Sequence, residues 1–364
     1  SIHAAQAAPT QFCLNSHSQG PSRRVTGTRD APGVSSITGR SRRYRRCRRS
    51  RRCQRSSRSH CRPQKAQLSL SVASLEDTII EGSKRLIIER VIADRPPQYV
   101  SDTLTVEEPL EIRVRFRRGP SVVQKPVSIT MRTPGSDREL AVGFLFTEGI
   151  IHDCSWIEAT ELKSENENSI LITLSHEVDL KRLERHFYTS SSCGVCGKTS
   201  IEALAINREI SLLPRSPQVD TKTVLGLPER LLQQQAHFSK TGGLHAAALI
   251  GSEGTVRAVR EDVGRHNAVD KVIGHALLTN TVDLADSILM VSGRAGFELV
   301  QKAIMASIPI MAAVGAPSSL AVELARQYDL TLIGFLRGNR FNLYSGRQRI
   351  NSLEATAATE FVTS

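Results

Sequence analysis

No apolar run in these 364 residues approaches the roughly 18 that a membrane span requires, so no membrane partner is expected. Cysteine is scarce where a fold would use it. Four of the seven (Cys13, Cys47, Cys53, Cys61) fall within residues 1–67, leaving only Cys154, Cys193 and Cys196 beyond. Three thiols are too few for a disulfide framework and predict a soluble, cytoplasmic protein of a reducing compartment. Acids are almost missing from residues 1–67, where Asp30 alone faces fifteen Arg and Lys65. The formal charge of +12 therefore belongs to this tail, and the remaining residues are close to balance. Neither a P-loop nor G-x-G-x-x-G occurs, and there is no internal repeat.

Between Arg40 and Arg55, ten of sixteen residues are Arg, with no apolar periodicity. Ordering such a segment costs backbone entropy that no burial offsets, so residues 1–67 are expected to be a disordered tail. Three meanings stay open for it. An acid-poor, Ser/Arg-rich stretch resembles an organelle leader. An arginine-rich arm suits phosphate neutralisation on nucleic acid, which we weigh as the weaker reading. A translated upstream sequence, in a chain opening on Ser1, is the bland one.

Beyond the tail, Arg85–Ala93 and Tyr99–Val106 read as strands around an Arg95-Pro96-Pro97 turn. Leu110, Ile112, Val114 and Phe116 alternate with Glu111, Arg113 and Arg115, the period of a half-buried strand. Burying those four apolar side chains contributes about 6–12 kcal/mol at most. Arg117–Gln124 is expected to be a loop, and Pro126–Arg132 a strand. A helix follows, with Ser136 as its cap and Gly149 as its stop, and then a strand at Ser169–Leu174. Leu244–Ile250 and Thr255–Arg260 predict a strand pair across Gly251–Gly254. From Gly264 to Phe335, helices and strands alternate with short connections, the mark of an α/β domain.

Three constellations carry chemistry. The loop-like stretch Thr189–Lys198 holds Cys193-Gly194-Val195-Cys196. A free thiol of pKa about 8.5 is roughly 3% thiolate at pH 7, and the thiolate is the reactive form. A helix starting near Lys198, with the Lys itself, would favour that form. Redox exchange, half a zinc site and sulfur carriage all fit a single C-x-x-C. A zinc site needs further ligands, for which Cys154, His245 and His266 are the candidates.

The second constellation joins Thr241-Gly242-Gly243-Leu244-His245 to Arg260-Glu261-Asp262-Val263-Gly264-Arg265-His266-Asn267, two histidines with acids and arginines at element ends. Asp262 is equally suited to capping the helix after Gly264. The third is oriented toward anions. Val291–Gly296 and Val314–Ser319 run from strand into helix, where backbone N–H groups can face a phosphate. Phe335-Leu336-Arg337-Gly338-Asn339-Arg340 adds two guanidinium groups suited to a pyrophosphate, or else a solvated basic turn.

The stretches EEPLEIRV, MRTPGSDRELAVGFLFTEGII, SSSCGVCGK, TGGLHAAAL, VREDVGRHNAVDK, SGRAGFELVQKA and APSSLAVELA followed by GFLRGNR, in this order, resemble the FdhD family. These are sulfur-carrier proteins required for formate dehydrogenase activity. The resemblance spans roughly residues 85–345 and implies an α/β fold. The expected arrangement is a three-layer α/β/α cytidine-deaminase-like domain (186–350) behind a smaller N-terminal α+β domain (84–185), with 351–364 as a tail. It implies a homodimer that takes sulfur from a cysteine desulfurase as a persulfide on Cys193, with Cys196 supporting or relaying. The sulfurtransferase then passes the sulfur to the molybdenum cofactor, in its bis(guanine dinucleotide) form, before insertion into formate dehydrogenase. The cofactor-binding segment maps onto Phe335, Leu336, Arg337, Gly338, Asn339 and Arg340. No permanently bound metal is expected. Residues 1–67 have no counterpart in the family, and Phe116–Lys125 looks like an insertion. The alternatives are a chaperone that only holds the cofactor, and a zinc-dependent deaminase-like hydrolase. The latter needs H-x-E and P-C-x-x-C, but H-x-E is absent and Ser192 precedes Cys193.

Overall fold

Alternating apolar residues start the fold, as the spacing predicts. The structure, a computed structural model, describes residues 82–162, 168–179, 212 and 216–351. The arginine-rich segment 1–67, the C-terminal residues from 352 and the loop bearing Cys193 and Cys196 lie outside the described residues. A hairpin of β1 (Ser83–Arg90) and β2 (Gln98–Thr105) leads into β3 (Glu108–Arg118) and β4 (Ser121–Arg132). On β3 the side chains of Leu110, Ile112, Val114 and Phe116 are each at most 1% exposed. Helix α1 (Asp137–Thr147), β5 (Ile157–Leu162) and β6 (Ser169–Leu174) complete a sheet of order β4-β3-β6-β5, in which only β3 and β6 run parallel.

Two local expectations need correction. Arg117–Gln124 is not a loop but the tip of the β3–β4 hairpin, with Arg117 opposite Val122 and Arg118 opposite Ser121. Gly119, at φ +57°, takes the left-handed conformation of the tight turn, so the pairing continues to the last residue before it. The apparent insertion is therefore a longer ribbon. Ser136 precedes α1 but caps nothing with its side chain, because its own φ of 56° is left-handed rather than the extended geometry of a cap. The helix start is held instead by Asp137, which accepts from Arg132 Nε at 3.0 Å and Nη2 at 2.9 Å.

The second sheet follows β7 (Val219–Asp220) and α2 (Thr221–Gln233). It is made by β8 (His245–Gly251), β9 (Val256–Asp262), α3 (Arg265–Thr279), β10 (Ser287–Val291), α4 (Phe297–Met305), β11 (Ile310–Ala313), α5 (Ser319–Gln327), β12 (Thr331–Arg337) and β13 (Arg340–Ser345). The short β14 (Ile350–Asn351) pairs back with β7. Strand order is β13-β12-β11-β10-β8-β9, with β10, β11 and β12 parallel to one another. The central strands β8, β10, β11 and β12 are largely apolar on both faces, as burial on both sides demands. Leu249, Leu289, Val291, Met311 and Leu332 pack in the cluster that contains side chains of α1, α3, α4 and α5. Ala248, Ile288, Met290, Ile310 and Ile333 pack with Val224, Leu227 and Leu231 of α2. The fold is thus α/β with mixed sheets. No helix among the described residues is long and apolar enough to cross a membrane.

The two sheets meet through α1 and α3, which cross backbone to backbone. A Cβ on Gly143 would overlap the carbonyl of Asp270, and one on Gly274 would overlap that of Glu139. Beside this crossing lies a buried ionic knot. Lys302 Nζ reaches Asp270 at 2.9 Å, Glu148 at 3.2 Å and the Thr147 hydroxyl at 2.9 Å. Burial opposes the ammonium charge, but Asp270 and Glu148 outweigh it and raise the lysine above its ordinary value. Its contribution to stability is therefore complete at neutral pH and lost only as pH rises through that elevated value. Lys302→Met is expected to cost about 3–5 kcal/mol, because Asp270 stays buried without its counter-charge. Urea unfolding measures this, and the double variant with Asp270→Leu should recover most of the loss.

Candidate functional site

The site lies where the parallel strands end. β10 and β11 each run directly into a helix, so the loops Ser292–Gly296 and Val314–Ser318 emerge at one edge of the sheet. β8 is antiparallel to β10 and begins at this edge, with Ala247 opposite Val291, which places His245 there. β9 is antiparallel to β8 and ends there, with Asp262 opposite His245. β12 runs to the same edge and turns back into β13 across Gly338 and Asn339. Two of the three constellations predicted from sequence therefore converge on one edge, the place where open α/β sheets bind ligands. Of the remaining one, Cys193 and Cys196 lie outside the described residues.

Each loop is nested on the next. Phe335 N donates to Gly315 O at 3.0 Å, and Gly315 N donates to Gly293 O at 3.0 Å. A Cβ on Gly315 would come within 2.9 Å of that same Gly293 oxygen, so only glycine permits the approach. On the far side, Ser292 Oγ accepts from Ala246 N at 2.9 Å, and the His245 ring lies against Gly293.

Asp262 is not a helix cap but a fully buried anchor. The N-cap position of α3 is Gly264, while Asp262 Oδ1 accepts from Gly264 N at 2.8 Å and Asn267 Nδ2 at 3.0 Å. Its Oδ2 accepts from Thr133 N at 3.1 Å and pairs with Lys271 Nζ at 2.8 Å. This clamp ties the start of α3, with Arg265 and His266, to the end of β4. His266 Nε2 pairs with Glu298 Oε2 at 3.0 Å, while Glu298 Oε1 is buried with no hydrogen-bond partner among the described residues. His245 is half-buried. Burial, then Arg265 and His266 beside it, push its imidazole below the ordinary value, with Asp262 pulling the other way. It is therefore neutral at pH 7.

The hairpin Phe335–Arg340 is exposed at its tip. Arg337, Gly338, Asn339 and Arg340 face solvent, whereas the Leu336 side chain is fully buried in the core. Phe335 holds φ at +51°, a left-handed conformation that costs a non-glycine residue about 1–3 kcal/mol and concentrates at functional sites. The kink coincides with a register shift between Gly334 and Arg337. It sets the Arg337 guanidinium 5.9 Å from the centre of the Phe335 ring. Sequence reasoning missed Glu298 and Lys271, since an acid in a helix's first turn and a lysine in a helix read as ordinary surface. A separate cleft of about 530 Å³, lined by Thr221, Phe341, Leu343, Tyr344, Arg347 and Ile350 among others, holds none of the predicted residues.

Comparison with known proteins shows the family. The chain is 47% identical over 267 residues to the sulfur carrier protein FdhD of Streptomyces avermitilis, covering 71% of this chain and 92% of that one. It is 45% identical over 260 residues to the sulfur carrier protein FdhD of Picrophilus torridus, covering 71% and 96%. A solved structure assigned as a formate dehydrogenase accessory protein, from Desulfotalea psychrophila, shares the fold. Its TM-score is 0.57 at 24% identity, over 73% of this chain and 99% of that one. Residues 106–351 match the FdhD/NarQ family throughout, and the chain belongs to that family.

Proposed function

We propose that this protein is a sulfur carrier acting in the maturation of formate dehydrogenase. Cys193 accepts sulfur from a cysteine desulfurase as a persulfide, with Cys196 in support. The protein, a sulfurtransferase, delivers the sulfur to the molybdenum cofactor in its bis(guanine dinucleotide) form. It works in the cytoplasm as a homodimer, on a cytidine-deaminase-like three-layer framework with a smaller N-terminal domain. The reading is carried by the identity of 45–47% to proteins named as sulfur carriers, over nearly their whole length.

The hairpin supports the ligand assignment. Two arginines flank an exposed glycine that leaves open space above its Cα, so a pyrophosphate can meet both guanidinium groups. Leu336, with its side chain in the core, contributes through its backbone. The cofactor is cargo here, and binding it asks for charge and an exposed rim rather than an enclosed pocket.

Titration of the full chain with GDP tests this. The Arg337→Ala, Arg340→Ala variant loses charge-assisted hydrogen bonds of about 1.5–3 kcal/mol each, so its affinity should fall at least tenfold. Unchanged affinity would place the nucleotide elsewhere. A chaperone that holds the cofactor without carrying sulfur would show the same GDP result. Sulfur loading followed by mass spectrometry separates the two, since only a carrier gains a sulfur atom.

A further inference from the structure

Strand β13 begins at Arg340, in the arginine hairpin, and the rest of it borders the cleft of about 530 Å³ that the hairpin reading leaves unused. We propose that this cleft is a nucleobase subsite, which takes the planar purine of a nucleotide whose pyrophosphate lies on Arg337 and Arg340. The proposal rests on the nucleotide reading of the hairpin and adds a second set of residues to it.

The walls have the chemistry of a stacking site. Phe341 and Leu343 pack with the cluster under α2, to which Ile350 also belongs, while Tyr344 packs with the cluster on the other side of the sheet. The cleft therefore wraps the outer rim of the strand, from Thr221 at the start of α2 to the turn at Gly346. Ile350 is 5% exposed, whereas Phe341, Leu343 and Tyr344 are only partly buried. Two aromatic rings and two aliphatic side chains thus line a space within the roughly 300–1,000 Å³ of small-molecule sites.

The polar groups narrow the class of ligand. Thr221 Oγ1 donates to Asn351 O at 2.7 Å, and Ser345 Oγ donates to Leu330 O at 2.6 Å, so both hydroxyl protons are spent inside the protein. What faces a ligand is main chain. β13 is the last strand of its sheet, with no strand beyond it among the described residues, so alternate N–H and C=O groups point outward from its rim. Of the carbonyls, Tyr344 O already accepts from Arg326 Nε at 3.3 Å. A fatty chain laid over this rim would desolvate polar groups and return nothing. A purine has apolar faces for the rings and donors and acceptors along its edge for the strand.

Spacing agrees with that occupant. The strand rises about 10 Å from Arg340 to Leu343, which matches the reach from the phosphates of a nucleoside diphosphate to its base. Charge stands at the start of the strand and apolar side chains follow, the order in which a nucleotide presents phosphate and then base.

Phe341→Ala in the full chain is the test, titrated with GDP and separately with inorganic pyrophosphate. Removing an aromatic platform costs a stacked base about tenfold in affinity. The variant should bind GDP about tenfold more weakly and pyrophosphate as the wild type does. Wild-type GDP affinity would overturn the proposal, because the base would then lie outside the cleft. An equal fall for both ligands would overturn it too, since Phe341 would only support the hairpin. Should Phe341→Ala fail to fold, amide hydrogen exchange of the wild-type protein decides. Saturating GDP should slow exchange across Phe341–Gly346 and pyrophosphate should not; unchanged exchange with GDP would overturn the proposal. Undiminished GDP affinity in the Arg337→Ala, Arg340→Ala variant is a different failure, since it removes the phosphates from the hairpin and says nothing against a base in the cleft.

Discussion

Cys193→Ala is expected to reduce formate dehydrogenase maturation to the level of cells lacking the protein, while leaving GDP affinity at the wild-type value. A persulfide exists only on sulfur, so no hydroxyl or methyl side chain substitutes for the thiol. Cysteine's advantage is that a few per cent of it is thiolate at neutral pH, and thiolate attacks a donor persulfide directly. Cys196, three positions along, offers a second thiol in the same C-x-x-C. If Cys196 only supports Cys193, as proposed, Cys196→Ala should retain measurable activity where Cys193→Ala retains none. Activity in a complemented deletion strain is the readout. Full rescue by Cys193→Ala would leave a cofactor-holding chaperone. The GDP control matters because it separates loss of sulfur chemistry from loss of the folded scaffold.

The second large effect is on stability. Gly274→Val is expected to destabilise the protein by more than about 3 kcal/mol, because overpacking a tight contact forces backbone apart rather than a flexible side chain. The atoms in the way are the main-chain carbonyls of Glu139 and, for the reciprocal Gly143, of Asp270. Gly274→Ala is the more informative change. In an open helix it would gain up to about 1 kcal/mol from propensity, so a net loss isolates the steric term. The same crossing holds Asp270 in register for Lys302, and the energies of the two sites should therefore be non-additive. Chemical unfolding gives the answer, and Leu232→Ala on the exposed face of α2 serves as a control within about 0.5 kcal/mol of wild type.

Much of the architecture was legible where one physical rule acted alone. The alternation along Leu110–Phe116 reports burial on one face, and the run of short helices and apolar strands after Gly264 reports a covered sheet. What escaped depends on contacts distant in sequence. The β3–β4 ribbon extends because Gly119 permits a turn two residues wide, whereas Arg117, Arg118 and Gln124 look like loop. Helix α2 carries Val224, Leu227 and Leu231 on one side, but Pro228 in its middle obscures it. Strand β13 sits at the sheet edge with Arg340 and Asn342 exposed, so its pattern is weak.

The site followed the same division. Histidines, acids and arginines at element ends could be picked out as a group, yet their roles could not. Asp262 suits a helix cap by position, and only the distant partners Thr133 and Lys271 reveal a buried anchor. Phe335 gives no hint in sequence of its left-handed backbone. Lys271 and Lys302 read as solvated charges until their counter-ions, remote along the chain, come into contact.

Mass spectrometry of the peptide containing Cys193 and Cys196, taken after incubation with a cysteine desulfurase and cysteine, tests the central claim most directly. Sulfur carriage predicts a gain of one sulfur atom on Cys193, removed by a reducing agent and absent from Cys193→Ala. A peptide that stays at its unmodified mass, while the desulfurase turns over its cysteine, would contradict it.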